Sequence, residues 1–138
     1  MPLDFEALSD WNFEEIRQTL TERDTILYAL GLGFGEDPTD KKELAFVYED
    51  GLKAVPSMAV TLGYPGFWLR NPKTGVNWQK VLHGEQWLDI YKPLPVNATI
   101  IGRSQIDFIS DKGEGKGAVI YQSREIIDAD SGDKLARV

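Results

Sequence analysis

Cysteine is absent from the sequence, and histidine occurs once, as His83. Without thiols the chain forms no disulfide, offers no cysteine nucleophile and cannot hold a cysteine-ligated zinc ion or iron–sulfur cluster. A single imidazole also excludes a metal site built from several histidines. We therefore expect neither a metal nor a cofactor in this chain.

Positive charge is scarce as well. Lys and Arg number 15 against 22 Asp and Glu, which gives a formal net charge of −7. Such a chain repels nucleic acids and anionic lipids unless its cations cluster. The longest stretch without a charge, 54–69, is too short and too interrupted by proline and glycine to span a bilayer. We expect no nucleic-acid partner and no membrane partner.

The first third of the chain carries the signals of helices. Residues 12–20 predict a short helix. Thr21 then predicts the N-cap of a second helix that ends near Gly31, with Asp24 in the position of a capping-box acid. The apolar run at 44–48 predicts an extended segment.

A further helix is predicted at Pro56, whose missing N–H costs nothing in a first turn. The residues that follow, 58–62, are apolar on nearly every side, which is typical of a helix inside a protein. A loop rich in glycine, proline and asparagine follows at 64–79.

The rest of the chain predicts antiparallel strands. Strict alternation in one of them places Ile106 and Phe108 on the face of Ile100, with Asp107 on the other face. The predicted strands are 86–91, 100–109, 118–127 and 134–138, with turns at 111–115 and 128–133.

A buried helix with long antiparallel strands indicates an α+β fold, with the sheet wrapped around the helix. The length of 138 residues, 42% of them hydrophobic, suits one domain over 1–138. The last predicted strand stops at Val138, soon after its turn. We therefore expect the chain to end within its last strand and to belong to a longer protein or an assembly.

Three sequence pieces occur in a recognisable order. They are Tyr28–Gly33 (YALGLG), Phe46–Glu49 (FVYE) and Val81–Pro95 (VLHGEQWLDIYKPLP). Together they resemble the N-terminal half of the hydratase 2, or MaoC-like, enoyl-CoA hydratases. The resemblance covers 21–138 and includes the Asp-Lys-Gly turn at 111–113.

This resemblance implies a hot-dog fold, a central helix wrapped by a curved antiparallel sheet, as one half of a double hot dog. Enzymes of the family add water to a trans-2-enoyl-CoA, giving the (3R)-3-hydroxyacyl-CoA, or run the reverse dehydration. Their catalytic Asp and His lie in a Gly-Asp-x-Asn-Pro-x-His motif of the C-terminal half. That motif is missing here, because no histidine follows Gly35-Glu36-Asp37-Pro38. No catalytic residue is assigned to this chain.

The resemblance also implies ligand contacts. In the family the His-Gly pair contacts the thioester ligand, here His83 and Gly84, and so does the turn lysine, here Lys112. A glycine lets the backbone approach a ligand closely, and a lysine supplies a compact cation for phosphates. The residues alone favour a different interpretation, in which His83 is a strand residue bonded to backbone and Lys112 is a solvated turn residue.

Four residues are candidate supports of the site: Tyr28, Glu49, Glu85 and Gln86. Tyr28 at helical spacing predicts a core residue. Glu49 beside an apolar run predicts a buried acid with a structural role. Glu85 and Gln86 are expected between the two halves.

Three aromatic residues, Tyr64, Phe67 and Trp68, follow the predicted buried helix. They either close the mouth of an acyl tunnel or cover the sheet, and we prefer the second for each of them.

The leading hypothesis is the acyl-CoA-binding half of an (R)-specific enoyl-CoA hydratase or 3-hydroxyacyl-CoA dehydratase, inactive alone. Its expected partners are the acyl-CoA thioester and a second hot-dog half or subunit, with a homodimer of the full protein. The rivals are a non-catalytic acyl-CoA-binding subunit and a purely structural hot-dog module. No basic-then-apolar leader opens the chain, so we expect a cytoplasmic protein, or a peroxisomal one in a eukaryote.

Overall fold

The computed structural model describes residues 5–138. Within that part the α-helices are α1 (Phe5–Ser9), α2 (Glu22–Gly31) and α3 (Lys41–Leu44). Short 3₁₀ helices occupy Pro56–Thr61, Trp68–Arg70, Pro72–Thr74 and Trp78–Lys80. The strands are β1 (Ile16–Leu20), β2 (Asp89–Ile90), β3 (Ala98–Asp111), β4 (Ala118–Asp128) and β5 (Lys134–Arg137). None of these helices has the length and apolar character needed to cross a membrane.

The strands form one antiparallel sheet in the order β1-β3-β4-β5-β2. The two central strands are far longer than their neighbours. β1 pairs only with 98–102 of β3, and β5 only with 125–127 of β4. Residues 104–111 of β3 pair with 118–124 of β4 and extend as a two-stranded hairpin arm. The predicted α+β fold with an antiparallel sheet is confirmed, as are the strands at 100–109, 118–127 and 134–138.

The start of α2 follows the predicted capping box. The Thr21 hydroxyl accepts the Asp24 N–H, and the Asp24 carboxylate accepts the Thr21 N–H at 2.9 Å. The Thr21 hydroxyl also donates to the Asp24 carboxylate at 2.8 Å, and this bond, followed by the bond from the Thr21 N–H, lowers the pKa of Asp24. Asn97, just before β3, accepts the Glu22 N–H at 2.9 Å, which fixes the first turn of α2 against the sheet.

Two local predictions are wrong. Residues 12–20 form no helix, because Ile16–Leu20 is an edge strand whose backbone is satisfied by pairing with β3. Residues 44–48 are not extended: α3 and the turn after it bond Val47 and Tyr48 N–H groups to the carbonyl of Leu44. At 16–20 pairing with a strand distant in sequence decided the backbone conformation, whereas at 44–48 local helical-turn hydrogen bonds did.

The predicted strand at 86–91 is confirmed only at Asp89–Ile90, which pairs with β5. β5 is only four residues long, and on its β2 side it pairs with just two residues. Residues 81–88 therefore run as an irregular segment, called here the 81–88 segment.

The buried helix predicted at Pro56 is present, but it is a six-residue 3₁₀ helix, shorter than the long helix that the resemblance implies. Met58 and Ala59 face inward, and the curved sheet closes over them. The buried core consists of Leu20, Met58, Ala59, Leu62, Leu94, Ile100, Ile126, Leu135 and Ala136.

A close backbone contact fixes the end of this 3₁₀ helix. Gly63 has a φ of +57°, and a Cβ placed there would lie 2.5 Å from the Cα of Gly102 on β3. The Gly63 N–H donates to Gln18 on β1 at 2.8 Å. Arg124 on β4 donates to the Val60 carbonyl. Three strands thus hold one helix end, and only glycine fits at the contact.

Arg124 is an unusual core residue because its side chain is charged and only 5% exposed. Its guanidinium lies 5.5 Å from the ring centroid of Tyr64, and burial lowers its pKa. None of the ion pairs among the described residues includes it. Its role in the fold is to tie β4 to the carbonyl end of the 3₁₀ helix.

Replacing Gly102 by Ala should destabilise the protein by about 3 kcal/mol, because the new methyl group overlaps the Gly63 carbonyl and neither backbone can retreat. Urea unfolding measures the change. Gly31→Ala is the matched control, since a methyl group there meets nothing within 4 Å. Equal stability of the two variants would show that the Gly63–Gly102 contact is not tight.

The turn between β4 and β5 gives a pH-dependent prediction. The Asp128 carboxylate accepts N–H bonds from Asp130 at 2.9 Å and Ser131 at 3.0 Å, with the Ser131 bond as the larger cause, and its pKa lies below the ordinary 3.8. Asp128→Ala should lower stability by about 1 kcal/mol at pH 7.

The pKa of Asp128 is lower in the folded protein than in the unfolded chain. Its carboxylate therefore contributes fully to the free energy of unfolding above pH 3.8, and this contribution disappears as the pH falls through the pKa of the folded state. Unfolding free energies measured from pH 7 down to pH 2 should therefore converge for wild type and Asp128→Ala. Asp130→Ala serves as the control that removes a neighbouring charge without these bonds. A constant difference at every pH would argue against the carboxylate role.

Candidate functional site

The 81–88 segment carries the His-Gly-Glu-Gln block on the surface. Leu82 is 90% exposed, and His83, Gly84 and Glu85 are exposed beside it. The His83 side chain makes no hydrogen bond to any other residue in 5–138. Gln86 donates only to the neighbouring Trp87 carbonyl, at 3.3 Å. These side chains are free to contact a ligand or a second protein surface.

Trp87 fastens this segment to the hairpin arm. Its ring lies nearly parallel to that of Tyr121 on β4, with centroids 6.1 Å apart and an interplanar angle of 13°. Phe108 on β3 packs against the same tyrosine at 5.6 Å. Trp87, Phe108 and Tyr121 form what we call the aromatic cluster.

A β-bulge at Asp107 creates this cluster. Ile106 pairs with Gln122, whereas Phe108 pairs with Tyr121, so Asp107 is one extra residue on β3. The bulge turns Phe108 onto the face of Tyr121 and away from the face of Ile106. The prediction that Ile106 and Phe108 share a face is therefore wrong, because alternation in one strand contains no information about an inserted residue.

Asp107 itself is held by polar neighbours on three sides. Its Oδ1 accepts from Ser123 at 2.9 Å and from Gln105 at 2.6 Å. The Arg137 guanidinium lies 3.4 Å from each carboxylate oxygen, longer than an ordinary hydrogen bond. Oδ2 thus keeps most of its acceptor capacity.

A groove of about 360 Å³ lies between the 81–88 segment and the hairpin arm. Its size is in the range of small-molecule sites, and its wall combines aromatic rings with a few polar groups. The lining residues are Trp87, Asp89, Asp107, Phe108, Tyr121, Gln122, Ser123, Arg137 and Val138.

Lys112 lies in the turn at the tip of the hairpin arm. The predicted turn is confirmed: the Lys112 N–H donates to the Gly117 carbonyl at 3.0 Å, and Asp111 accepts the Gly113 N–H at 2.9 Å. The lysine side chain is exposed. Neither His83 nor Lys112 lines the groove, but each belongs to one of the two elements that form it.

Tyr28 and Glu49 lie apart from the groove. The Tyr28 hydroxyl hydrogen bonds to the Ser57 hydroxyl at 3.0 Å, and its ring packs against the core, as predicted. The prediction of a buried Glu49 is wrong, because this residue is exposed in the turn that follows α3.

Trp68 covers the other face of the hairpin arm. Its indole N–H donates to Gln122 at 2.8 Å, and its ring packs on Trp11 at 5.3 Å and Phe13 at 5.1 Å. This arrangement confirms the sheet-covering role for Trp68. Tyr64 and Phe67 stay about half exposed.

The residues that sequence reasoning missed are those of the groove wall: Asp107, Tyr121, Ser123 and Arg137. They come from three strands, and no local motif joins them. Trp87 also lines the groove and lies within the 81–95 block. Its large aromatic side chain was the one feature of the sequence that could have indicated this role. Among residues 5–138, no group of three or more His, Cys, Asp or Glu side chains could hold a metal ion.

Replacing Tyr28 by Phe should lower stability by about 1 kcal/mol through loss of the Ser57 hydrogen bond. Thermal unfolding measures the change, and unchanged stability would contradict a role for this hydrogen bond.

Comparison with known proteins places these features in a family. The family model described as MFE-2 hydratase 2 N-terminal domain matches residues 18–138. Enoyl-CoA hydratase 2, peroxisomal, of Arabidopsis thaliana is 36% identical over 128 residues, covering 88% of this chain and 41% of the plant protein. Peroxisomal multifunctional enzyme type 2 of Mus musculus is 35% identical over 117 residues, 78% of this chain and 16% of that protein.

Two solved structures share the fold. Full-length peroxisomal multifunctional enzyme type 2 from Drosophila melanogaster matches with a TM-score of 0.66 and 31% identity, over 89% of this chain and 21% of that one. A MaoC-like dehydratase from Phytophthora capsici matches with a TM-score of 0.73 and 24% identity, over 98% and 46%. The second likeness concerns the fold alone.

The chain spans less than half the length of each of these relatives, and its share of the plant hydratase is 41%. The sheet and its short buried helix agree with the hot-dog fold of these neighbours. The match over 18–138 includes the 81–88 segment and the whole hairpin arm. This chain belongs to the family of MFE-2 hydratase 2 N-terminal domains.

Proposed function

We propose that this chain is the acyl-CoA-binding N-terminal half of an (R)-specific enoyl-CoA hydratase or 3-hydroxyacyl-CoA dehydratase. The reaction is the reversible hydration of a trans-2-enoyl-CoA to the (3R)-3-hydroxyacyl-CoA. The observation that carries this proposal is the family match over residues 18–138. The names of two relatives support both directions of this reaction. One is enoyl-CoA hydratase 2, and the other is 3-hydroxyacyl-thioester dehydratase Y of Mycobacterium tuberculosis, which is 32% identical over 120 residues.

The chemistry of hydration supports a division of labour between two halves. Addition of water needs a base that activates the water and an acid that protonates the α-carbon. Within residues 5–138, His83 has no hydrogen-bonded carboxylate. As the family resemblance implies, we propose that the catalytic Asp and His come from a C-terminal half or a partner subunit and that this chain alone is inactive.

The exposed part of the 81–88 segment supports the binding role. His83 and Gly84 present an imidazole and an unobstructed backbone to the thioester region, since a Cβ at Gly84 would meet nothing within 4 Å. Lys112 at the hairpin tip presents its ammonium group to the CoA phosphates. Glu85 and Gln86 are exposed on the same segment, and we expect them to lie between the two halves.

The partners follow from this role: an acyl-CoA thioester, a second hot-dog half or subunit, and a second copy of the complete protein in a homodimer. The plant and mouse relatives carry peroxisomal names, which supports a peroxisomal location when the source is a eukaryote. A cytoplasmic location is proposed otherwise.

A second candidate is a non-catalytic acyl-CoA-binding subunit. The missing Gly-Asp-x-Asn-Pro-x-His motif agrees with both candidates, so the assay must distinguish them. Loss of enoyl absorbance with crotonyl-CoA separates the two candidates when the C-terminal half is supplied. Turnover in the assembly supports the hydratase half, whereas binding without turnover supports the second candidate.

Replacing Lys112 by Ala in the intact enzyme should raise KM for crotonyl-CoA about tenfold while kcat falls less than threefold. The expected reason is that the lysine contacts CoA phosphates, which remain unchanged during the reaction. Lys53→Ala, which removes the same charge at an exposed position outside the arm, should leave both constants unchanged. An unaltered KM in Lys112→Ala would remove this residue from the binding site.

A further inference from the structure

We propose that a surface within residues 64–80 docks this protein onto an anionic lipid bilayer without crossing it. We call this surface the basic–aromatic patch, and it consists of Phe67, Arg70, Lys73, Trp78 and Lys80. The inference does not rest on the proposed hydratase function. The family resemblance assigns no role to any of these five residues.

The distribution of charge along the chain distinguishes this patch. No Asp or Glu occurs between Asp50 and Glu85, although the whole chain has 22 acidic residues. All three cations of the patch lie in this acid-free interval. A chain of net charge −7 can approach an anionic surface through such a region, because exposed charges beyond about 8 Å are largely screened at physiological ionic strength.

The cations of the patch have no acidic partner in the part of the chain that the structure describes. None of the ion pairs among residues 5–138 includes Arg70, Lys73 or Lys80. Helix α1, which carries Glu6, packs against Pro72–Thr74, yet Glu6 forms none of these ion pairs. The positive charge of the patch is therefore available to an external anion such as a lipid phosphate.

Exposed aromatic rings accompany the cations. Phe67 is 44% exposed and Trp78 is 39% exposed, and their ring centroids lie 6.2 Å apart. The Arg70 guanidinium lies 5.1 Å from the centroid of the Trp78 ring. Aromatic rings beside cations are typical of surfaces that lie in a bilayer interface, where the rings enter the headgroup region and the cations attract anionic lipids.

Buried neighbours hold the segment that carries the patch. Trp68 donates from its indole N–H to Gln122 on β4 at 2.8 Å. Thr74 is fully buried, and its hydroxyl donates to the Asn71 carbonyl at 2.8 Å. The patch is therefore fixed to the sheet before it meets a partner, so binding requires little ordering of the loop.

The arrangement of the rings favours lipid over single-stranded nucleic acid. A nucleobase stacks on an open ring face, but Arg70 covers one face of Trp78. Phe67 stands almost at a right angle to Trp78, with an interplanar angle of 85°, so the two rings form no flat platform. Entry into the headgroup region needs no open ring face.

Cosedimentation of the intact protein with lipid vesicles tests the proposal. Wild type should bind phosphatidylcholine vesicles that contain about 30% phosphatidylserine at least tenfold more tightly than vesicles of phosphatidylcholine alone. Salt at about 0.5 M should remove most of this difference, because it shortens the range of electrostatic attraction. Equal binding to the two kinds of vesicle, or no binding to either, would overturn the proposal.

Charge reversal within the patch gives the second measurement. Lys73→Glu with Lys80→Glu should weaken binding to the anionic vesicles at least tenfold, since each cation near an anionic leaflet contributes about fivefold. Lys41→Glu with Lys42→Glu is the matched control, because both lysines are exposed on α3 and the net charge becomes the same. The control should lose less than threefold, and equal losses would overturn the patch as the site.

Removal of a ring separates lipid from other anionic partners. Trp78→Gln should weaken binding to the anionic vesicles at least threefold, and Phe67→Gln replaces it if circular dichroism shows that the first variant does not fold. Unchanged binding in a folded variant would indicate attraction by charge alone, as to an acidic protein, and would overturn the proposal. Tighter binding of a single-stranded oligonucleotide to the same residues would overturn it as well.

Discussion

The contact between the backbones of Gly63 and Gly102 is the constraint on which the rest of the structure depends. It brings the carbonyl end of the buried 3₁₀ helix directly onto β3, closer than any side chain allows. Gln18 and Arg124 then hold the same helix end from β1 and β4. Met58 and Ala59 of this short helix pack in the core together with Ile100 on β3 and Ile126 on β4.

The two faces of the hairpin arm differ in their surroundings. The face of the hairpin arm that carries Gln122 is covered by Trp68 and its aromatic neighbours. The opposite face carries Tyr121 and stays open beside the 81–88 segment. One face therefore stabilises the arm, and the other is available for a ligand. The arm needs this cover because an isolated two-stranded hairpin is marginally stable in water.

Much of the fold was predictable where the determining interactions are local. The capping box of Thr21 and Asp24, the turn at 111–115 and the long alternating strands all follow from neighbouring residues. The edge strand β1 was not predictable from its own pattern, because its conformation depends on pairing with a strand about 80 positions later. The bulge at Asp107 was not predictable for the same reason, since it is defined only by the register of β3 with β4. The site shows the same division: His83, Gly84 and Lys112 stay predictions from a motif, whereas the groove wall exists only in three dimensions.

We propose that this domain binds a CoA ester while the Asp and His side chains that transfer protons come from another half or subunit. A crystal structure of the intact protein with a bound 3-hydroxyacyl-CoA tests it most directly. The account predicts the ligand along the 81–88 segment and the hairpin arm, with Asp and His side chains of another half or subunit at the reacting carbons. A ligand bound away from both elements, or reacting carbons contacted only by residues of this chain, would contradict it.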